Sequence, residues 1–137
     1  MEIKGIVDYE HLFTLDLKHP ATDRPIGITI QIRSAESEAA KRILRQHTDK
    51  NLERRIKNKL PKADQIVQEE LEKAASYIAS WDWGSNTYEG KTPELSMKTA
   101  MHILEKEGWI YAQVVEAATK IENFTPISAK SSAATSV

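Results

Sequence analysis

The sequence predicts an α+β domain, mainly helical: an N-terminal β-hairpin, with room for a third strand, followed by about four α-helices. Three observations carry this. Apolar and polar residues alternate at period 2 over residues 13–17 and 28–32. The spacing changes to three and four after Ser34. The 137 residues suit one compact core, and a chain of that size folds without a metal or disulfide.

Each element has a local cause. Phe13-Thr14-Leu15-Asp16-Leu17 and Ile28-Thr29-Ile30-Gln31-Ile32 are half-buried strands, the second rich in β-branched residues. Residues 18–25 between them carry Pro20 and Pro25, turn chemistry that no central strand accepts. Residues 3–7 are the candidate third strand. A lone hairpin is marginal in water, so its apolar face is expected to pack on the helices.

Ser34 or Ser37 is expected to cap the first helix. Its inward stripe is Ala40, Ile43, Leu44, His47, Leu52, Ile56 and Leu60, ended or kinked by Pro61. Val67, Leu71, Ala74, Ile78 and Trp81 step by four and three, predicting a second helix whose stripe is too short for a coiled coil. Residues 82–93, with Gly84, Asn86, Gly90 and Pro93, are a loop. Ser96 caps a third helix with Ala100, Met101, Ile103 and Leu104 inward, closed by Gly108. A fourth runs from Trp109 to about Asn123, with Ile110, Val114, Ala117, Ala118 and Ile121 inward, and stops before Pro126. The expected organisation is one compact domain over residues 1–126 (hairpin region 1–33, helical region 35–126) and a flexible Ser/Ala-rich tail over 127–137.

Composition narrows the chemistry. There are no cysteines, which excludes disulfides, a thiolate nucleophile and Cys-ligated metal centres. Nothing in MEIKGIVDYE predicts a signal peptide, and no stretch approaches a membrane span, so a soluble intracellular protein without a membrane partner is expected. His11, His19, His47 and His102 lack the spacing of a metal site on one helix. The five glycines form neither a dinucleotide fingerprint nor a P-loop, and no serine sits in a nucleophile elbow. Asp82 opens an oxygen-rich run like a calcium loop, but Thr87 and Pro93 stand where its glycine and bidentate glutamate belong. Asn123-Phe124-Thr125 is formally a glycosylation sequon, without meaning in an intracellular chain. Glu69-Glu70 fits a solvated helix face. No catalytic residue, metal site or cofactor is predicted.

Two features stand above this background. The first is charge. Lys+Arg is 19 and Asp+Glu 20, net −1, yet residues 41–62 hold nine basic residues against Asp49 and Glu53. That segment is net +7, which leaves −8 for the remainder. Arg42, Arg45, Arg54, Arg55 and Lys57 are its candidate binding residues. They suit nucleic-acid phosphates, an acidic protein surface or another copy of the chain, unless the segment is simply a solvated helix face. Without interleaved aromatics or a helix-turn-helix glycine, nucleic acid is not the expected partner. The second feature is aromatic. Trp81 belongs to a core stripe, whereas Trp83 and Tyr88 in the loop, with Trp109, Tyr111 and Phe124 later, are candidate interface anchors. On this basis Trp83→Ala, or charge reversal at Arg54 and Arg55, is expected to weaken partner binding without unfolding the domain.

Ile78-Ala-Ser-Trp81-Asp82, a loop to Leu95-Ser96, a short helix through Leu104, and Val114-Val115 running to Asn123-Phe124 together resemble the tail assembly chaperones of long-tailed phages. Upstream, the hairpin ending in Gly27-Ile-Thr-Ile-Gln-Ile32 and the Ser-led basic helix are also similar, so the resemblance spans residues 12–124. Its motifs are short and tolerant. It implies a non-enzymatic protein of the infected host's cytoplasm, absent from the mature virion. Such a protein binds and solubilises the tape-measure protein and helps recruit tail-tube subunits. It is often made with a frameshifted longer form, of which this chain would match the short one. Self-association through the charge asymmetry fits the same reading. The alternatives are a structural tail or head–tail protein retained in the particle, and a nucleic-acid module built on residues 41–62.

Overall fold

A computed structural model describes residues 1–125; the Ser/Ala-rich tail lies outside the described residues. The chain runs β1 (Phe13–Lys18), β2 (Pro25–Ile32), α1 (Glu38–Ile56), α2 (Ala63–Ser76), β3 (Ile78–Asp82), α3 (Met97–Lys106) and α4 (Gly108–Thr119), then a 3-10 turn over Ile121–Phe124. The α+β architecture is as the periodicities predict: a three-stranded antiparallel sheet ordered β1-β2-β3 with four helices.

The hairpin forms because its alternation is unambiguous. Leu15 pairs with Ile30 and Phe13 with Ile32, and β2 buries Ile28, Ile30 and Ile32 on one face. α4 lies across β1 and β2, and α2 packs on α3. Together they enclose Leu17, Leu71, Ala74, Ile103, Leu104, Ile110 and Val114. Gln113 of α4 ties off the end of β1, donating to the Lys18 carbonyl (2.8 Å) and accepting from its N–H (3.0 Å). That satisfies one backbone pair on a strand edge otherwise open to other chains.

The third strand is not residues 3–7 but β3, and this corrects the predicted second helix. Ile78 and Trp81 continue the spacing of Val67, Leu71 and Ala74, yet the helix stops at Ser76. The open edge of β2 captures residues 78–82 instead, pairing Thr29 with Asp82, Ile30 with Trp81 and Ile32 with Ile78. Arg33 holds the changeover: its guanidinium donates to the Ser76 carbonyl (2.9 Å) and the Ile78 carbonyl (3.1 Å). Residues 3–7 instead lead to Asp8, whose N–H donates to the Phe124 carbonyl at 2.8 Å.

Helix ends also differ from expectation. Ser37, not Ser34, is the N-cap of α1, accepting from the Ala40 N–H. Ser34 is buried and accepts from the Glu36 N–H at 3.0 Å. α1 ends before Pro61 because Asn58 takes a left-handed conformation (φ 55°). Its N–H donates to the Arg55 carbonyl, and the Lys59 N–H to the Arg54 carbonyl (2.8 Å), closing the last turn. Ser96 caps α3 as predicted, accepting from the Thr99 N–H at 3.0 Å. Gly108 does not close α3; Glu107 is the break, and Gly108 opens α4. α4 ends at Thr119, short of Asn123, whose side-chain amide donates to the Ala117 carbonyl at 2.9 Å. Ile121, expected inside, is exposed.

α1 shows the largest departure. Of its predicted inward stripe only Ala40 and His47 are buried, while Leu44, Leu52, Ile56 and Leu60 are exposed. Among the described residues, α2 is the only element against which α1 packs extensively. The far end of α1 and the start of α2 therefore project from the core as an arm, and the seam between them is polar. His47 Nε2 lies 2.8 Å from Glu72 Oε1, and Arg54 donates to Glu69 Oε1 at 3.0 Å.

Candidate partner-binding surfaces

Trp81, Trp83 and Tyr88 come together, but facing inward, while Tyr111 and Phe124 lie outside this cluster. Trp83 is 6% exposed and forms edge-on contacts with Trp81 (centroids 5.7 Å apart) and Tyr88 (6.2 Å). Tyr88 in turn stands edge-on to His102 at 6.2 Å. Trp83 Nε1 is buried without an acceptor among the described residues, but the other polar atoms are used internally. Trp81 Nε1 donates to the Pro93 carbonyl (3.1 Å), while Tyr88 Oη (2.9 Å) and Trp109 Nε1 (3.1 Å) both donate to the Glu107 carboxylate. Burial, reinforced by that hydrogen bond and the negative charges of Glu107 and Glu89, pushes the Tyr88 hydroxyl up to about 12. It stays a neutral donor at any physiological pH.

The loop after β3 is thus clamped onto the α3–α4 junction and the hairpin. Asn86 Nδ2 donates to the carbonyls of Ile26 (2.9 Å) and Trp83 (3.0 Å). Gly84, at φ 58°, comes so close to β2 that a Cβ there would sit 2.8 Å from the Gly27 carbonyl oxygen. Phe124 is buried, and Tyr88, Trp109 and Tyr111 are half-buried against the core. These findings correct the expected anchors: Trp83 and Phe124 are core residues, and no aromatic of the group stands free at the surface. The signal for Trp83 was present in Trp81-Asp82-Trp83, a period-2 continuation of β3 that turns both indoles toward one side.

The basic residues are at the surface, though not uniformly. Arg42, Arg45 and Arg55 are exposed, with Arg45 reaching Glu38 (3.3 Å). Lys57 pairs with Glu53 at 3.1 Å, an exposed contact worth little. Arg54 turns away from solvent. It and Asn51 hold the Glu69 carboxylate in the α1–α2 seam, so Arg54 belongs to the arm's construction. Burial pushes the Glu69 carboxyl up, but hydrogen bonds from Arg54 and Asn51, with the nearby charges of His47 and Arg54, outweigh it and hold the group below the usual carboxylate range.

A group with a depressed folded pKa stabilises the fold above its unfolded value and loses that contribution as pH falls through the folded one. Glu69→Gln is therefore expected to cost about 1 kcal/mol at neutral pH. The difference from the parent should shrink as pH drops below about 4. Urea titrations of both proteins across that range check it; a difference that does not vary with pH would show that charge is not what Glu69 contributes.

What the sequence stripe concealed is the arm's apolar exterior. Ile56 is 75% and Leu60 91% exposed, with Leu44, Leu52, Ile66 and Val67 about half so. Arg45, Leu52 and Ile56, spaced by seven and four, share one face of α1 away from its His47 seam. Exposed Leu and Ile side chains among basic neighbours are the candidate contact surface of this chain. The concavities are shallow, and among the described residues no group of three or more His, Cys, Asp or Glu could hold a metal. No described helix is long and apolar enough to cross a membrane. No protein-family model, curated protein or solved structure matches this chain.

Proposed function

We propose that this chain is a tail assembly chaperone of a long-tailed phage. It is a non-enzymatic protein that binds the helical tape-measure protein, keeps it soluble and helps recruit tail-tube subunits in the host cytoplasm. It does not remain in the mature virion. The observation that carries this reading is the arm: Leu52, Ile56 and Leu60 exposed among the basic residues where α1 turns into α2. The resemblance over residues 12–124 supplies the partner. Arg42, Arg45, Arg55 and Lys57 orient that partner, and the exposed aliphatics, not the aromatics, provide adhesion.

Magnitudes favour a reversible holdase. Burying three Leu or Ile side chains contributes at most about 1.5–3 kcal/mol each, and less where they start half-covered. Association costs about 4–15 kcal/mol in lost freedom. One arm therefore binds weakly, and retention on a long partner comes from many copies acting along it. Weak single contacts also allow the tube to displace the chaperone.

The test is co-expression with the tape-measure protein of the same genome, alone and with any longer form of this chain. Soluble, co-purifying tape measure is expected with the parent. Substituting Leu52, Ile56 and Leu60 together by Ser should reduce it at least tenfold while leaving thermal unfolding within a few degrees of the parent. Unchanged co-purification by the triple variant would sink the arm as the site. For the virion-protein alternative, mass spectrometry of purified particles is decisive, since a chaperone should be missing. The nucleic-acid alternative requires DNA affinity that falls steeply with salt.

A further inference from the structure

β1 is an outer strand: the order β1-β2-β3 leaves its second side without a partner strand. Which groups that side presents follows from the ladder. The His19 N–H donates to the Arg24 carbonyl (2.9 Å), so His19 faces the β2 side, and Lys18 beside it turns its backbone outward. Counting back by two, Thr14 and Asp16 also direct their N–H and C=O groups away from β2. At Lys18 the side-chain amide of Gln113 meets that outward pair (3.0 and 2.8 Å), standing where the peptide group of a further strand would be. Thr14 and Asp16 have no such backbone partner among the described residues. Their edge opens onto a groove of about 380 Å³ between β1 and α4. Half-buried Phe13 and Leu15 form one wall, and Gln113, Glu116, Ala117 and Lys120, on one stripe of α4, form the other. Asp16, Asp23 and Glu116 set three carboxylates along it against Lys18 and Lys120, none of them ion-paired among the described residues. Lys18 sits at the Gln113 end and Lys120 about 10 Å further along α4, which leaves Asp16 and Glu116 at the centre.

We propose that β1 accepts a fourth strand, an extended segment of another protein in which a basic residue is flanked by apolar ones. A helix cannot take this place, because its N–H and C=O groups are already bonded within itself. Paired antiparallel, the segment exchanges backbone hydrogen bonds with Thr14 and Asp16, and Gln113 marks where it stops. Its basic residue lies opposite Asp16, on that residue's side of the sheet, and the nearby Glu116 adds to the attraction. Its apolar neighbours turn to the other side, covering Phe13 and Leu15. Two backbone pairs and a short groove make the contact weak and reversible. The surface is separate from the arm and rests on neither the tape measure nor the chaperone reading.

The probe is a capped synthetic peptide, Thr-Val-Lys-Val-Thr, titrated to millimolar concentration into the whole isotope-labelled chain and followed by amide NMR shifts and hydrogen exchange. In the free chain the Thr14 and Asp16 amides should exchange fast, while that of Leu15, paired with Ile30, is protected. Added peptide should shift and slow the Thr14 and Asp16 amides before any others. Thr14→Pro removes an outward N–H only, which an edge strand tolerates, and should weaken binding at least tenfold. Asp16→Lys changes an exposed side chain. It should weaken the peptide about two- to fivefold, and a peptide with Glu in place of Lys should recover that loss. Circular dichroism verifies both folds, and Asp16→Lys decides alone if Thr14→Pro does not fold. Thr14 and Asp16 amides already protected in the free chain would mean that residues 126–137 or a second copy cover the edge, which overturns the proposal. So does a peptide that leaves the two amides unmoved, or one that binds the folded variants as it binds the parent.

Discussion

Trp83→Ala is expected to destabilise the fold by about 3–5 kcal/mol, the range for removing a large buried aromatic. In a chain of this size that lowers Tm by roughly 10–20 °C. The indole is 6% exposed and packs edge-on against Trp81 and Tyr88, so its loss opens a cavity between β3, the clamped loop and α3. The cavity cannot readily collapse, because Gly84 already touches β2 and Asn86 is fastened to Ile26 and Trp83. Trp83→Phe is the informative companion. Trp83 Nε1 has no hydrogen-bond acceptor among the described residues, so phenylalanine gives up area but relieves a buried donor that costs about 1–3 kcal/mol. It should cost well under half as much as alanine. Calorimetry or urea titration reads both. A Tm loss of only a few degrees in Trp83→Ala would mean the ring is not a core element. This reverses the expectation drawn from the sequence, in which the same substitution weakens partner binding and spares the fold.

Phe124→Ala should cost about 3 kcal/mol, the lower part of the range for such truncations, because the short 3-10 turn that carries the ring can partly relax. Phe124 is 1% exposed. Its carbonyl accepts from Asp8, and Asn123 beside it satisfies the Ala117 carbonyl at the end of α4. The turn thus joins the N-terminal segment, the linker before α1 and the last helix. Removing the ring should speed hydrogen exchange at the Asp8 amide more than at β2 amides, which open only with the whole fold. Uniform acceleration would argue that Phe124 supports the core globally. A loss under 1 kcal/mol would mean that its burial contributes little.

These two residues illustrate how far local pattern reaches. The hairpin was legible because alternation over residues 13–17 and 28–32 admits one conformation, and Ser96 because a side-chain oxygen three residues before an orphan N–H is a local solution. β3 was not legible. Ile78 and Trp81, three apart, fit helical spacing and break strand alternation; the unpaired edge of β2, some 50 residues upstream, overrides this by pairing them with a register irregularity at Gln31/Ile32. Asn58 marked the end of α1 more accurately than Pro61, since asparagine tolerates the left-handed turn that reverses the chain. The candidate site divided in the same way: charge on Arg42, Arg45, Arg55 and Lys57 is surface charge wherever the helix lies, while Arg54 was drawn into the seam by Glu69.

By itself the sequence determined the class of each long element, the serine N-caps of α1 and α3, the absence of thiol chemistry and the separation of a net +7 segment from an acidic remainder. All of these are properties of composition or of neighbours along the chain. Only the tertiary structure decided that the third strand comes after α2, that Trp83 and Phe124 are inside, and that Leu52, Ile56 and Leu60 are outside. Periodicity shows that apolar residues share a face; whether anything covers that face depends on surfaces contributed from elsewhere. For the aromatics the hairpin and α3 provide that cover, whereas Leu52, Ile56 and Leu60 are left largely uncovered by the described chain.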